Sequence, residues 1–158
     1  MQARKCSLVG VISDTHGLVR AEALTALKGV DVIVHAGDIG TPAVLTALHA
    51  IAPVIAVRGN NDRGAWARRI PDTAIVRVGD ARLYVLHDVH DLDFDAQQAG
   101  FAAIIAGHSH KPLVMARDGI VFLNPGSAGP RRFTLPVTVA RLRVSGRRVR
   151  GTIITLHP

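Results

Sequence analysis

The feature that most constrains this 158-residue sequence is an alternation in its first half, where short β-branched runs are followed by Ala/Leu-rich stretches. Leu8 to Ser13, Val30 to His35 and Val54 to Val57 read as strands, with helices at Arg20 to Lys28 and Pro42 to Ile51 between them. Strand, helix, strand, helix, strand predicts a parallel sheet, because parallel neighbours need a crossover and a helix usually supplies it. Ala21, Leu24 and Leu27 recur at the spacing of one buried helix face, and Gly29 follows as a natural C-cap. Thr41 before Pro42 predicts the start of the second helix, a cap residue followed by proline at the first helical position.

After Pro71 the pattern changes. Thr73 to Val78, Ala81 to Leu86, Ala102 to Ile105, Leu113 to Ala116, Ile120 to Leu123, Val137 to Val144 and Val149 to Thr155 read as short strands. Turns separate several of them, as at Gly79-Asp80, Asp118-Gly119 and Ser145-Gly146, and only Asp95 to Gly100 reads as helical. Two sheets packed face to face with helices outside is the simplest arrangement that buries both halves. Length and 48% hydrophobic content suit one domain over residues 1–158.

Composition narrows the function. Mean hydropathy is positive, but Asp, His, Arg or Gly interrupts every apolar run before the roughly 18 residues a membrane span needs. Arg4 and Lys5 precede the apolar run Leu8 to Ile12 as in a secretory signal, yet that run is too short and Asp14 ends it. Cys6 is the single cysteine and cannot form an internal disulfide, which predicts a cytoplasmic protein with Cys6 as a small buried hydrophobe. The net charge of +7 is concentrated at the C-terminal end, where residues 111–158 hold nine Lys or Arg against one acid, Asp118. That could mark a nucleic-acid footprint. The favoured reading is a strand pair with Arg141, Arg143, Arg147 and Arg150 on a solvated face, alternating with Val139, Leu142, Val144 and Val149. Aromatic residues at 4% offer few platforms on which bases could stack.

The residues with metal-binding side chains fall where predicted strands stop. Asp14 and His16 follow the first strand, Asp38 the second and Asn60 the third; His87 ends a later strand, and His108 and His110 follow Ile104 and Ile105. In open α/β sheets ligands bind at the carboxyl ends of strands, so these groups are expected on one rim. Gly17, Gly37, Gly59 and Gly107 accompany them and are expected to let the backbone turn sharply there. Two carboxylates, an amide and four imidazoles suit divalent transition ions better than calcium or magnesium. Seven ligands exceed one tetrahedral site but suffice for two ions sharing a bridge, the arrangement that clamps both oxygens of a phosphoryl displacement. The expected nucleophile is then a hydroxide held on a two-metal centre.

Ser13-Asp14-Thr15-His16-Gly17, His35-Ala36-Gly37-Asp38, Gly59-Asn60-Asn61-Asp62, His87 and Gly107-His108-Ser109-His110 resemble the ordered motifs of calcineurin-like metallophosphoesterases. With Asn124-Pro125-Gly126-Ser127, the resemblance covers the whole chain and is nearest the small YfcE-type phosphodiesterases. It implies a single calcineurin-like phosphoesterase domain, a four-layer α/β/β/α sandwich with two mixed β-sheets, and hydrolysis of phosphodiesters or activated phosphomonoesters. It also implies two divalent metal ions, Mn first and Ni, Co, Fe or Zn as alternatives. By that analogy Asp14, His16 and His110 hold one ion, Asn60, His87 and His108 the other, and Asp38 bridges. Many relatives carry Gly-Asn-His-Glu where this chain has Gly59-Asn60-Asn61-Asp62, so Asn61 stands in place of the histidine credited as general acid. Relatives often read His-Gly-His where this chain has His87-Asp88-Val89-His90, which makes His90 an accessory candidate.

His35 is expected either to orient a ligand or to be a satisfied core histidine, and His49 and His157 to be surface residues. Trp66 with Arg68 and Arg69 would either cover the site or pack as core; Asn124 and Ser127 are expected to shape a loop beside the metals. The expected partner is a small phosphate ester, with a homo-oligomer left open. Eukaryotic relatives of this fold serve as protein-binding subunits of a trafficking coat, so a protein-binding scaffold is one alternative. Scaffold relatives have lost metal-site residues, whereas all seven positions are filled here. A nucleic-acid phosphodiesterase using the basic C-terminal strands is the other.

Overall fold

The computed structural model describes residues 6–158, so Arg4 and Lys5 lie outside it. The strands are β1 (Cys6–Ile12), β2 (Val32–His35), β3 (Val54–Ala56), β4 (Thr73–Val78), β5 (Ala81–Leu86), β6 (Ala103–Ile105), β7 (Leu113–Arg117), β8 (Ile120–Asn124), β9 (Thr138–Ser145) and β10 (Arg148–Thr155). Helices α1 (Ala21–Ala26), α2 (Pro42–His49) and α3 (Ala65–Arg68) join the first four strands. One sheet runs β10-β9-β1-β2-β3 and the other β4-β5-β6-β8-β7. Both are mixed: β1, β2 and β3 pair in parallel while β9 and β10 run antiparallel, and β5, β6 and β8 pair in parallel between antiparallel β4 and β7.

The two sheets form the expected sandwich. Val9, Val11, Val34 and Leu142 from the first sheet meet Leu83, Val85, Ile105 and Leu123 from the second in one inner core. On the outside of the first sheet, Ala23 and Leu27 from α1 and its end, and Val44 and Leu48 from α2, pack against Ile12, Ile33 and Val139. Thr41 is the N-cap of α2 and Pro42 its first residue, as predicted.

The outside of the second sheet departs from expectation, because residues 95–100 form turns rather than a helix. The Asp95 carboxylate accepts from the amides of Gln97 and Gln98, and one α-helical bond, Ala99 N–H to Asp95 O at 3.0 Å, is followed by a tighter one, Gly100 N–H to Gln97 O, and a wider one, Phe101 N–H to Ala96 O. A single turn ending at Gly100 is too short to hold a helix. Tyr84, Phe94 and Phe101 pack together there, so this layer is an aromatic-stapled loop over half of the sheet.

Two further expectations change. Cys6 is exposed at the head of β1 rather than buried. Arg141 is half-buried and not part of a solvated face: it donates from Nε to Ala26 O at 2.9 Å and from Nη2 to Lys28 O. It thereby satisfies carbonyls that the end of α1 leaves open.

Candidate metal centre

The parallel strands of both sheets carry their C-terminal ends to one rim, and the loops that leave them are stitched together. Asp14 N–H donates to Gly37 O and His16 N–H to Asp38 O, both at 3.0 Å, so the pairing of β1 and β2 runs on into the loops. From the second sheet, Gly107 N–H donates to His87 O at 2.9 Å, and His108 N–H crosses to Asp14 Oδ2 at 3.1 Å. Ser127 Oγ donates to Asp14 O, and Asn124 Nδ2 donates to Gly107 O and to Ser109 Oγ, as befits residues that shape the loops.

The left-handed backbone sits on the functional residues themselves. Asp14, His16, Asp38, His108 and His110 have φ between 47° and 70°. Such angles are costly outside glycine and persist where the surroundings over-determine them. Gly59 and Gly107 serve another purpose than the sharp turn expected of them: a Cβ at Gly59 would strike the Asp38 carboxylate, and one at Gly107 would strike Ser13 Oγ and Asp14 Oδ2. They are small so that the carboxylates can come close.

At the centre, Asp14 is fully buried. Its Oδ2 accepts from Ser13 Oγ at 2.7 Å, whereas Oδ1 has no hydrogen-bond partner. Around Oδ1 stand His110 Nε2 at 3.3 Å, and His16 Nε2 and His87 Nε2 at 4.0 Å each. Asp38 Oδ2 lies 3.4 Å from His87 Nε2 and 3.8 Å from His16 Nε2. Asn61 grips both Asp38 oxygens, its N–H on Oδ1 and its Nδ2 on Oδ2, each at 2.9 Å. Burial by itself would raise the Asp38 carboxyl, but the His87 ring and the two Asn61 bonds outweigh it and hold the group well below the usual carboxylate range.

Asp14 Oδ1, His16 Nε2, His87 Nε2 and His110 Nδ1 are buried without partners in the folded chain. Orphaned buried polar atoms are costly, and their clustering suits these residues to hold a cation. Two overlapping sets have ligand atoms within 4.8 Å of one another: Asp14, His16 and His110, and Asp14, Asp38 and His87. The structure thus brings five of the seven expected residues together. Asn60 and His108 stand exposed at the edge, with the His108 ring 5.1 Å from that of His87 and its Nε2 3.7 Å from Asp88 Oδ2.

Supporting residues set the tautomers. His87 Nδ1 lies 2.8 Å from Ala36 O, so it carries the proton and leaves Nε2 facing the carboxylates. His35 is the satisfied core histidine: its Nδ1 accepts from Gly37 N–H, so its Nε2 donates to Thr15 Oγ1, which donates to Ile39 O. Burial pushes the His35 ring down to about 4, keeping it neutral. Asp62, which reads in the sequence as one more polar residue of a Gly-Asn turn, is buried and accepts from the amides of Gly59, Ile39 and Gly40. It ties the loop after β3 to the loop after β2; the Gly59-Asn60-Asn61-Asp62 motif includes Asp62 but does not name its partners. Trp66 packs against the core outside the first sheet, and His49 and His157 are exposed. His90 is exposed on a 3-10 turn (Val89–Asp91), its Nδ1 held 2.9 Å from Asp88 Oδ1.

A two-sheet α/β sandwich with buried aspartates and histidines at one rim defines a class of metal-binding domain. The chain belongs to the calcineurin-like phosphoesterase superfamily, whose domain matches residues 8–147. It is 35% identical to a probable metallophosphoesterase of Methanothermobacter thermautotrophicus, over 93% of this chain and 91% of that one. It is 25% identical to a phosphodiesterase of Methanocaldococcus jannaschii, over 75% and 82% of the two chains. Among solved structures, Vps29 of Chaetomium thermophilum superposes with a TM-score of 0.76 at 19% identity, covering 96% of this chain and 100% of the other, a likeness of fold. No helix among the described residues is long and apolar enough to cross a membrane.

Proposed function

We infer that the protein hydrolyses phosphodiesters, and activated phosphomonoesters, with water activated at a two-metal centre held by Asp14, His16, Asp38, Asn60, His87, His108 and His110. The observation that carries this reading is the cluster of buried Asp14, Asp38, His87 and His110 with His16 on one rim, in which one Asp14 oxygen and one nitrogen of each of three imidazoles have no partner. Two divalent ions supply activation of water and neutralisation of phosphate charge. The mixed oxygen and nitrogen donors accept Mn, Ni, Co, Fe or Zn, and Mn is the first ion to test. Asp38 would take the bridging position, and Asp14, which belongs to both residue groups, would stand beside it. Asn61 orients Asp38, and Asp88 places a carboxylate oxygen 3.7 Å from His108 Nε2. The archaeal phosphodiesterase relative supports a phosphate diester as substrate.

The basic strands do not serve this site. Arg143 pairs with Leu8 and Ser145 with Cys6, so the arginine-rich end of β9 and β10 lies at the opposite end of β1 from Asp14. At about 3.3 Å per residue the separation is roughly 20 Å, which argues against a polynucleotide held by those arginines during cleavage.

The test is metal-stripped protein assayed on bis(p-nitrophenyl) phosphate. Hydrolysis is expected to vanish and to return with added Mn; full activity in excess chelator at zero metal content would overturn the reading. The buried carboxylate behind the centre gives a second expected outcome. Asp62→Ala frees three amides that fix the loops of Asp38 and Asn60, and should weaken Mn affinity by about 10- to 100-fold, as measured by calorimetric titration. Native-like affinity in that variant would remove Asp62 from the site.

A further inference from the structure

Two grooves leave the rim on either side of Asp88 and His108, and they differ in chemistry. One, of about 500 Å³, is polar and includes Arg58, Asn60, Asp72 and Asp91. The other, of about 620 Å³, begins at the same Asp88 and His108 and runs over Ala106, Leu113, Met115 and Phe122. The reason for the apolar groove lies in the fold. Residues 95–100 make turns instead of a helix, so the loop layer over the second sheet covers β5, β6 and β8 and stops short of β7. β7 is the edge strand, all five of its residues are exposed, and Met115 pairs with Phe122 across the ladder. Leu113 is 47% exposed and Met115 42%. An apolar strip of this kind ending at a polar centre is a binding feature rather than ordinary surface.

We propose that the apolar groove receives one ester arm of the substrate, so that the preferred substrate is an unsymmetrical phosphodiester with one hydrophobic alkyl or aryl arm and one polar arm. The proposal rests on the phosphoesterase reading above. The occupant follows from continuity: the groove opens on His108 and Asp88, where the phosphate sits under that reading, and apart from Asp88, Lys111 and Arg117 its lining carries no charged carboxylate, ammonium or guanidinium group. The second arm then lies in the polar groove beside Arg58, whose Nε and Nη2 already hold Asp72 Oδ1 and whose remaining Nη1 is free to donate to a polar substituent.

The experiment compares methyl-, butyl-, hexyl- and octylphosphonate on Mn-loaded protein. Inhibition of bis(p-nitrophenyl) phosphate hydrolysis and direct calorimetric binding are both read. Affinity should rise about three- to fourfold per added methylene until the groove is filled. In Leu113→Ser and Met115→Ser, whose side chains lie outside the core, the increment should flatten to below about twofold. An affinity independent of chain length, or an increment untouched by both substitutions, overturns the proposal while leaving the phosphoesterase reading intact. Absence of any metal-dependent hydrolysis overturns that reading and this one with it. A flat series together with a dimer that Met115→Ser dissociates would reassign the face to contact between copies of the chain.

Discussion

Asp14→Ala is expected to lower phosphodiester hydrolysis by ~1000-fold and to leave the protein unable to retain two ions. Asp14 is fully buried, it belongs to both groups of candidate ligands, and its Oδ2 fixes the His108 loop through the backbone amide. Loss of several kcal/mol of charge stabilisation at the reacting phosphate corresponds to about that factor, at about 1.4 kcal/mol per tenfold. Asp38→Ala should be comparably damaging, because it also frees Asn61 and His87. Metal content by atomic absorption and rate on bis(p-nitrophenyl) phosphate are the measurements. An Asp14→Ala protein that keeps two tightly bound ions and a near-native rate would refute the assignment. Asp14→Asn separates charge from shape: if the amide restores folding stability but not ion retention, the carboxylate charge is what the site uses.

The second large effect concerns the proton that the leaving group needs. Asn61 occupies the place where many relatives have a histidine, and both of its donors are spent on Asp38. An amide in that position cannot protonate a departing oxygen. General acid assistance is typically worth about 100- to 10,000-fold, so its absence should fall on alkoxides and spare nitrophenolate. Native enzyme should therefore show a steep fall in rate as leaving-group pKa rises across a series of aryl and alkyl phosphodiesters. Asn61→His should flatten that slope, and comparing slopes rather than absolute rates removes the cost of freeing Asp38. His90 is the competitor, since Asp88 fixes its Nδ1 and its ring is exposed beside the apolar groove. A shallow native slope that His90→Ala makes steep would assign the acid to His90.

Strand positions were legible because period and punctuation agreed: β4 and β5 match Thr73 to Val78 and Ala81 to Leu86 residue for residue. Failures came where a short segment had no tertiary partner visible in the sequence. Asp95 to Gly100 has helical composition and Asp95 caps its first amides, yet the segment closes at Gly100 after one turn, with Phe94 and Phe101 packed together across it. Arg141 alternates like a surface residue, and nothing in the sequence places the carbonyls of Ala26 and Lys28 over it. The metal-binding residue types at strand ends were legible because parallel strands must deliver them to one rim. Asp62 was not, because its role depends on amides more than 20 residues away, at Ile39 and Gly40.

Donors drawn from both sheets tie the chemistry of the rim to the survival of the chain. Asp14, His16 and Asp38 leave the first sheet, whereas His87 and His110 leave the second, so parting the sheets along their shared core also scatters the donors. Occupancy and sheet contact are then one equilibrium. A cation at 100 times its dissociation constant adds about 2.7 kcal/mol to the folded state, a large share of the 5–15 kcal/mol typical of a whole domain, on the order of magnitude at least. With ions bound there, chains starved of metal would be the ones that open, and opened chains the ones that proteases clear. The abundance of the protein would thus follow the supply of the ion, with no sensor other than its own fold.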